Sequence, residues 1–305
     1  MLDLVLLGCG GNMPMPNRFL SSLFINYKGQ KILIDCGEGT QVSMKNNKCG
    51  FKDVALILIT HLHGDHILGL PGLLSTIGNS GRTENLTIVG PIGISESISA
   101  IRVLVEYLPY NINIIENPQK SFSVNSNLGN LDISTIQLDH STECIGYSLY
   151  FKRKPKFDLD KATKNNVPKF LWQKLQQSDF VYLENQKYTS DMVLGEERNG
   201  IKISYITDTR PIFSIPEFIK NSSLFICEAM YGDDMDISKA VKNKHMTFRE
   251  AANLARLGDV DKLLLTHFSP SVGSPHDFLK NATDVFSDTI IGEDGLKISL
   301  KFESN

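Results

Sequence analysis

The sequence predicts an α/β fold in which helices cover β-sheets, and three observations carry that prediction. The N-terminal half alternates strand-length apolar runs with Gly-rich turns. Segments with apolar residues at helical spacing lie between and after those runs. With 305 residues, 41% hydrophobic and 21% charged, the chain can bury one large core or two ordinary ones without staples.

Leu2 to Leu7, in "MLDLVLLGCGG", reads as a first buried strand. It holds a lipobox-like "LLGC", but Asp3 stands where a secretion signal has basic residues, and the apolar run is too short for one. Gly8, Gly10 and Gly11 follow, yet Pro14 and Pro16 come next instead of a helix, which argues against a dinucleotide-binding loop. "SSLFINYKGQKILIDCGEG" is two alternating runs joined at Lys28-Gly29, as in a hairpin. "VALILIT" is a continuous apolar run, expected as a strand buried on both faces. "LGLPGLLSTIG" and "GISESISAIRVLVEYL" have helical spacing, with Ser95 near the start of the second. Further on, "LDISTIQLDH", "IKISYITD" and "KLLLTH" read as strands. "MTFREAANLARLG" reads as a helix capped by Thr247, with Glu250 three residues later and Gly258 as its stop.

The net charge of −3 conceals a local imbalance. Between Lys152 and Lys174 stand Lys152, Arg153, Lys154, Lys156, Lys161, Lys164, Lys169 and Lys174, against Asp158 and Asp160 alone. The same stretch carries the single tryptophan, Trp172, beside Phe170. It is either a solvated loop or lid, or an arm that grips a polyanion. The five cysteines are odd in number, widely spaced and without a CxxC pair, which fits a reducing cytoplasm. No apolar run approaches the length of a membrane span.

The chemistry concentrates where apolar strands end. "THLHGDH" places His61, His63, Asp65 and His66 directly after "VALILI", with Gly64 allowing a sharp turn. Imidazoles and a carboxylate at i, i+2, i+4 and i+5 form a metal-ligand pattern. Three more strands each finish in one ligand-capable residue: His140, Asp208 and His267. Seven candidates exceed one tetrahedral site and suit two adjacent ions, with Asp208 as bridge because a carboxylate has two oxygens to share.

"THLHGDH", His140, "TDTRP" and "THFSP" together resemble the metallo-β-lactamase superfamily. "ILIDCGEGTQ", "CEAMY" and "HMTFREAANLAR", in this order, narrow the resemblance to the ribonuclease Z family of tRNA 3′-processing endonucleases. The resemblance covers nearly the whole chain. It implies one domain over 1–305, a four-layer αββα sandwich, with a protruding basic arm inserted at 152–180. It implies two zinc ions per subunit, one held by His61, His63 and His140, the other by Asp65, His66 and His267, with Asp208 between them. His and Asp ligands accept manganese or iron as well. Asp65 would orient or deprotonate the attacking water, and His245 with Glu228 would donate a proton to the leaving oxygen. Read from residues alone, the alternatives are a helix-start residue for His245 and a structural hydrogen-bonding group for Glu228. Asp35, directly after "ILI", is either a support for a ligand imidazole or a turn residue.

The implied substrate is precursor tRNA, cut to leave a 3′-hydroxyl on the tRNA and a 5′-phosphate on the trailer, by a cytoplasmic homodimer that needs no membrane. Arg18, Lys152, Arg153, Lys154, Lys156, Lys169 and Arg210 are the expected substrate-binding residues. Three places depart from the family. "NVPKFLWQK" replaces a Gly-Pro-rich arm tip, Pro16 stands where a lysine is usual, and Ser271 stands where an arginine is usual. His276 has no assigned role. The competing readings are a small-molecule phosphodiesterase with the same metals and a non-catalytic RNA-binding module.

Overall fold

The computed structural model describes residues 1–118, 121–122 and 131–303. Its strands in chain order are β1 (Leu2–Gly8), β2 (Ser22–Tyr27), β3 (Gln30–Ile34), β4 (Val54–Leu58), β5 (Leu86–Gly90), β6 (Ile112–Glu116), β7 (Ser121–Phe122), β8 (Leu131–Gln137), β9 (Ile145–Arg153), β10 (Phe180–Leu183), β11 (Gln186–Thr189), β12 (Arg198–Ile206), β13 (Leu224–Glu228), β14 (Leu263–Thr266), β15 (Thr289–Ile291) and β16 (Lys297–Leu300). Two compact units divide the chain: residues 1–150 with 201–301, and residues 151–200 with the segment from Phe302 on.

The larger unit is built on two seven-stranded sheets, ordered β16-β1-β2-β3-β4-β5-β6 and β15-β14-β13-β12-β9-β8-β7. In the first sheet a period of two sorts the side chains. Val5, Leu7, Leu33 and Ile57 pack against Leu70, Leu73, Leu74 and Ile77 of helix Leu70–Asn79 and against Ile94 and Ile98 of helix Ile94–Leu104. Their alternates Leu4, Leu6, Ile32, Ile34, Leu56 and Leu58 are as fully buried on the opposite face. That face meets the second sheet: a methyl on Gly292, just past β15, would lie 2.6 Å from Leu6 Cδ2. The continuous apolar character of "VALILIT" follows, because every residue of β4 is buried. Each such Leu or Ile adds roughly 1.5–3 kcal/mol of burial. The architecture is the αββα sandwich. Lys28 (φ 53°) and Gly29 (φ 84°) are both left-handed, the geometry of a two-residue hairpin turn between β2 and β3.

The second sheet positions the chemistry. β12, β13 and β14 are parallel and in step, with Ile206 opposite Cys227 and Cys227 opposite Leu265. Their C-terminal ends therefore lie at one edge, which is why Asp208, Glu228 and His267 emerge as neighbours.

One helix expectation needs correction. The segment 93–108 is helical only over Ile94–Leu104. Val103 and Leu104 are 81% and 79% exposed, so no packing extends the helix toward Pro109. Ser95 lies in the first turn as expected, the cap is Gly93 in the left-handed region, and Glu116 of β6 accepts both the Gly93 N–H and the Ser95 hydroxyl. The Thr247–Glu250 capping box is present as expected, and Gly258 ends that helix. A side chain at Gly258 would overlap Ile219, so it serves packing there and not a left-handed turn.

The smaller unit has a core of its own, formed by Ala162, Val167, Leu171, Leu175, Tyr188 and Val193. It contains helix Leu159–Lys164 and the antiparallel β10–β11 hairpin. The unit runs to Gly200, past the expected boundary at 180. The basic run marked only its first part; Tyr188 and Val193 complete the core, and the later stretch carries acidic residues such as Asp191, Glu196 and Glu197. Among the described residues no helix is long and apolar enough to cross a membrane.

Candidate metal centre

At the aligned strand ends, ligand atoms of His61, His63, His140 and Asp208 gather in one group, and those of Asp65, His66 and His267 in a second. In the first group, His61 Nε2 lies 3.1 Å from His63 Nδ1, and His140 Nε2 lies 3.3 Å from that same atom. Asp208 Oδ2 is 3.6 Å from His61 Nε2 and 3.7 Å from His140 Nε2. In the second group, His66 Nε2 and His267 Nε2 are 3.2 Å apart, and Asp65 Oδ2 is 3.5 Å and 3.3 Å from them. Asp208 Oδ1 is 3.4 Å from His66 Nε2 and 3.3 Å from His267 Nε2. A tetrahedral zinc with bonds of about 2.0–2.1 Å has ligand–ligand edges of about 3.3–3.4 Å. Both groups have those edges, and Asp208 offers one oxygen to each.

The imidazole tautomers fit the same purpose. His66 Nδ1 is 2.9 Å from Asp35 Oδ2, His61 Nδ1 is 3.1 Å from the Thr60 hydroxyl, and His140 Nδ1 is 3.3 Å from the Lys244 carbonyl. Each contact leaves Nε2 facing its group. Asp35 is itself held by the Thr60 N–H and hydroxyl, so it is a rigid support and not a solvated turn residue. Asp35, Asp208 and Glu228 are at most 2% exposed, and Asp65 is 9% exposed. Buried carboxylates at this density require positive charge. Burial opposes ionisation of Asp65 and Asp208, but the imidazoles around them hold both well below the ordinary carboxylate range. Burial keeps His61 and His140 neutral, in the ligating form. Burial also opposes charge on His66, but Asp208 and Asp35 outweigh it and favour a proton there, the charge that a cation would supply in its place. The donor set fits metal ions.

Backbone geometry shapes the site as much as side-chain identity. Asp35 (φ 58°), Asp208 (φ 45°) and His267 (φ 60°) all turn into the left-handed region within two residues of their strand ends. The "GCGG" stretch also finds its reason here. A Cβ on Gly11 would lie 2.6 Å from His267 Cε1, so only glycine lets the chain pass that imidazole. Next to it, the Asn12 N–H donates to Asp65 Oδ2 at 2.6 Å.

Beside both groups stands His245, its Nδ1 3.1 Å from Glu228 Oε1. Glu228 also accepts the Thr209 N–H at 2.6 Å and the Met246 N–H at 3.2 Å. Burial would lower the His245 pKa, but Glu228 outweighs it and pushes the value up to about 9. A cleft of about 670 Å³ opens onto His63, Asp65, His140, Asp208, His245 and His267, with Asn12, Glu38, Leu68 and Tyr231 among its walls.

Two expected substrate contacts are otherwise engaged. Arg210 forms a two-pronged pair with Glu250 and donates to the His245 carbonyl, so it fixes His245 from behind. Arg18 donates to the carbonyls of Ser269, Val272 and Gly273, pinning the loop after His267. In the smaller unit Lys152, Lys154, Lys156 and Lys169 are exposed, Lys154 donating to the Gln176 carbonyl, and Arg153 donates to the Glu303 carbonyl and lies over Phe302. His276 pairs with Glu293 at the surface. Thr60, Asn12 and Lys244 were not singled out from the sequence, since a threonine, an asparagine and a lysine carry no periodic or ligand signal.

The sandwich and its cluster define a metal-dependent hydrolase of metallo-β-lactamase fold. Solved structures of that shape include human tRNase Z, short form (TM-score 0.70, 24% identity, covering 98% of this chain and 99% of that one), and the metallo-β-lactamase fold protein YhfI from Bacillus subtilis (TM-score 0.71, 19% identity, covering 98% and 100%). A family model described as anti-Pycsar protein Apyc1 matches residues 2–191. Over 304 residues the chain is 71% identical to ribonuclease Z of Clostridioides difficile (strain 630), covering 99% of this chain and all of the relative. Ribonuclease Z of Clostridium beijerinckii is 60% identical over 309 residues, covering both chains entirely. The chain belongs to the ribonuclease Z family.

Proposed function

We propose that the protein is a zinc-dependent endoribonuclease that removes the 3′ trailer from precursor tRNA, leaving a 3′-hydroxyl on the tRNA and a 5′-phosphate on the trailer. The observation that carries the chemistry is Asp208, with one carboxylate oxygen toward each cluster of imidazoles. The substrate follows from the ribonuclease Z relatives matched over the full chain.

His61, His63 and His140 with one Asp208 oxygen would hold one ion, and Asp65, His66 and His267 with the other oxygen a second. Bound there, the ions supply Lewis acidity and a water acidic enough to act as nucleophile at neutral pH. Asp65, fixed by the Asn12 N–H, would orient the attacking water. His245 has Nδ1 on Glu228, which leaves Nε2 as the atom that gives its proton to the departing 3′ oxygen. Arg210 keeps His245 in place through its main-chain carbonyl. The exposed lysines of the smaller unit engage phosphates remote from the cut, where such contacts position RNA without reading its bases. The protein acts as a homodimer in the cytoplasm, a compartment consistent with five buried, unpaired cysteines.

The test is incubation of purified protein with precursor tRNA and, separately, with bis-p-nitrophenyl phosphate. Turnover of the small ester alone would refute the RNA substrate. His245→Ala is expected to slow precursor cleavage by about two to four orders of magnitude with metal content unchanged; loss of metal with it would refute the proton-donor assignment.

A further inference from the structure

The smaller unit contains a feature that phosphate contact does not explain. A hollow of about 910 Å³ lies beside helix Leu159–Lys164 and is lined by Trp172, Pro168, Asn166, Lys164, Lys169 and Asp160 among others. The Trp172 indole N–H already donates to the Val167 carbonyl at 2.9 Å. Its ring is backed by Phe157, with centroids 5.1 Å apart. What the indole presents to a ligand is therefore apolar ring surface held rigidly, which suits stacking and not hydrogen bonding. Among the described residues neither Lys164 nor Lys169 has an ion-pair partner, whereas Lys161, on the helix of Lys164, is tied to the Leu194 carbonyl.

We propose that this hollow receives one unpaired base of the RNA substrate, stacked on Trp172, with its flanking phosphates on Lys164 and Lys169. The proposal rests on the nuclease reading and adds to it a nucleotide-sized receptor remote in sequence from the metal ligands. An unstacked base offers a flat π-face to the indole and two phosphates to the lysines, so one ligand satisfies both parts of the wall. Asn166 and Asp160, in the same lining, offer a donor and acceptors to a base edge.

Trp172 is the sole tryptophan of the chain, so its emission reports this hollow alone. Precursor tRNA is titrated into the full-length His245→Ala protein, with filter retention measured in parallel. Emission is expected to fall along the same isotherm as retention. Trp172→Leu in the otherwise native enzyme is expected to raise KM for precursor tRNA about tenfold with kcat unaltered, and Trp172→Phe to recover most of the loss. Because Trp172 also packs on Phe157, the surface double variant Lys164→Glu/Lys169→Glu provides a second test, with a similar rise in KM. Retention without a change in emission, or Trp172→Leu at native KM whatever the double variant does, would overturn the base receptor and leave the nuclease intact. Absence of RNA retention would overturn the nuclease reading and the receptor with it.

Discussion

Gly11→Ala offers the sharpest test of how the backbone shapes the metal centre. The added methyl would stand 2.6 Å from His267 Cε1, 2.7 Å from Nε2 and 2.8 Å from Nδ1. Unbonded carbon atoms rest about 3.5–4.0 Å apart, so the imidazole must retreat by roughly 1 Å. It has little room to do so. His267 is fully buried, its φ is already 60°, and the next residue, Phe268, is bridged to Gly10. A metal site tolerates ligand displacements of about 0.2 Å, several times less than the clash demands. Misplacing a reacting group by 1 Å can cost about 100-fold in rate. The expected result is loss of metal, measured by elemental analysis after gel filtration, with kcat/KM for precursor tRNA down by about 100-fold or more. Gly273→Ala is the control, because nothing lies within 4 Å of its added methyl. Gly11→Ala protein with native metal content and native kcat/KM would refute the reasoning.

Asp35→Asn should weaken metal binding by about 10–100-fold, since His66 loses its carboxylate partner while no ligand is removed; unchanged affinity in a chelator competition would show that Asp35 does not support the ligand. Arg210→Lys should lower kcat for both precursor tRNA and bis-p-nitrophenyl phosphate, because a lysine cannot reproduce the two-pronged pair with Glu250. A rise in KM confined to RNA would return Arg210 to substrate binding. All five cysteines are buried and their thiol pKa values are raised by burial, that of Cys49 to about 11. A thiol-specific reagent at pH 8 should therefore label none in the native protein and all five after denaturation; rapid native labelling of any would contradict the packing.

The positions of the ligands were legible because a buried strand must surrender its polar residues at its end. "VALILI", "KISYI" and "KLLL" are dominated by buried apolar residues, so the ligand-capable His61, Asp208 and His267 stand out just past their ends. Their convergence has a physical cause that the sequence only implies. β12, β13 and β14 run parallel in register, and parallel strands bring their C-terminal ends to a common edge. What sequence reading missed acts through the main chain or through long-range pairs. The Asn12 N–H on Asp65, the Lys244 carbonyl on His140 and the left-handed turns at Asp35, Asp208 and His267 leave no mark on hydrophobic pattern. Arg18 and Arg210 carry a task of the same kind: both donate to carbonyl groups of loops next to the metal ligands. The smaller unit shows the limit of charge as a guide. Charge located its start at Lys152, but a compact unit is closed by its core, and Tyr188 and Val193 complete that core well beyond the last lysine of the basic run. The rigid centre and the separately cored unit thus follow different rules. Charge and pattern locate chemistry at strand ends, while packing sets where the smaller unit stops, and Trp172 packs on Phe157 at the edge of that core.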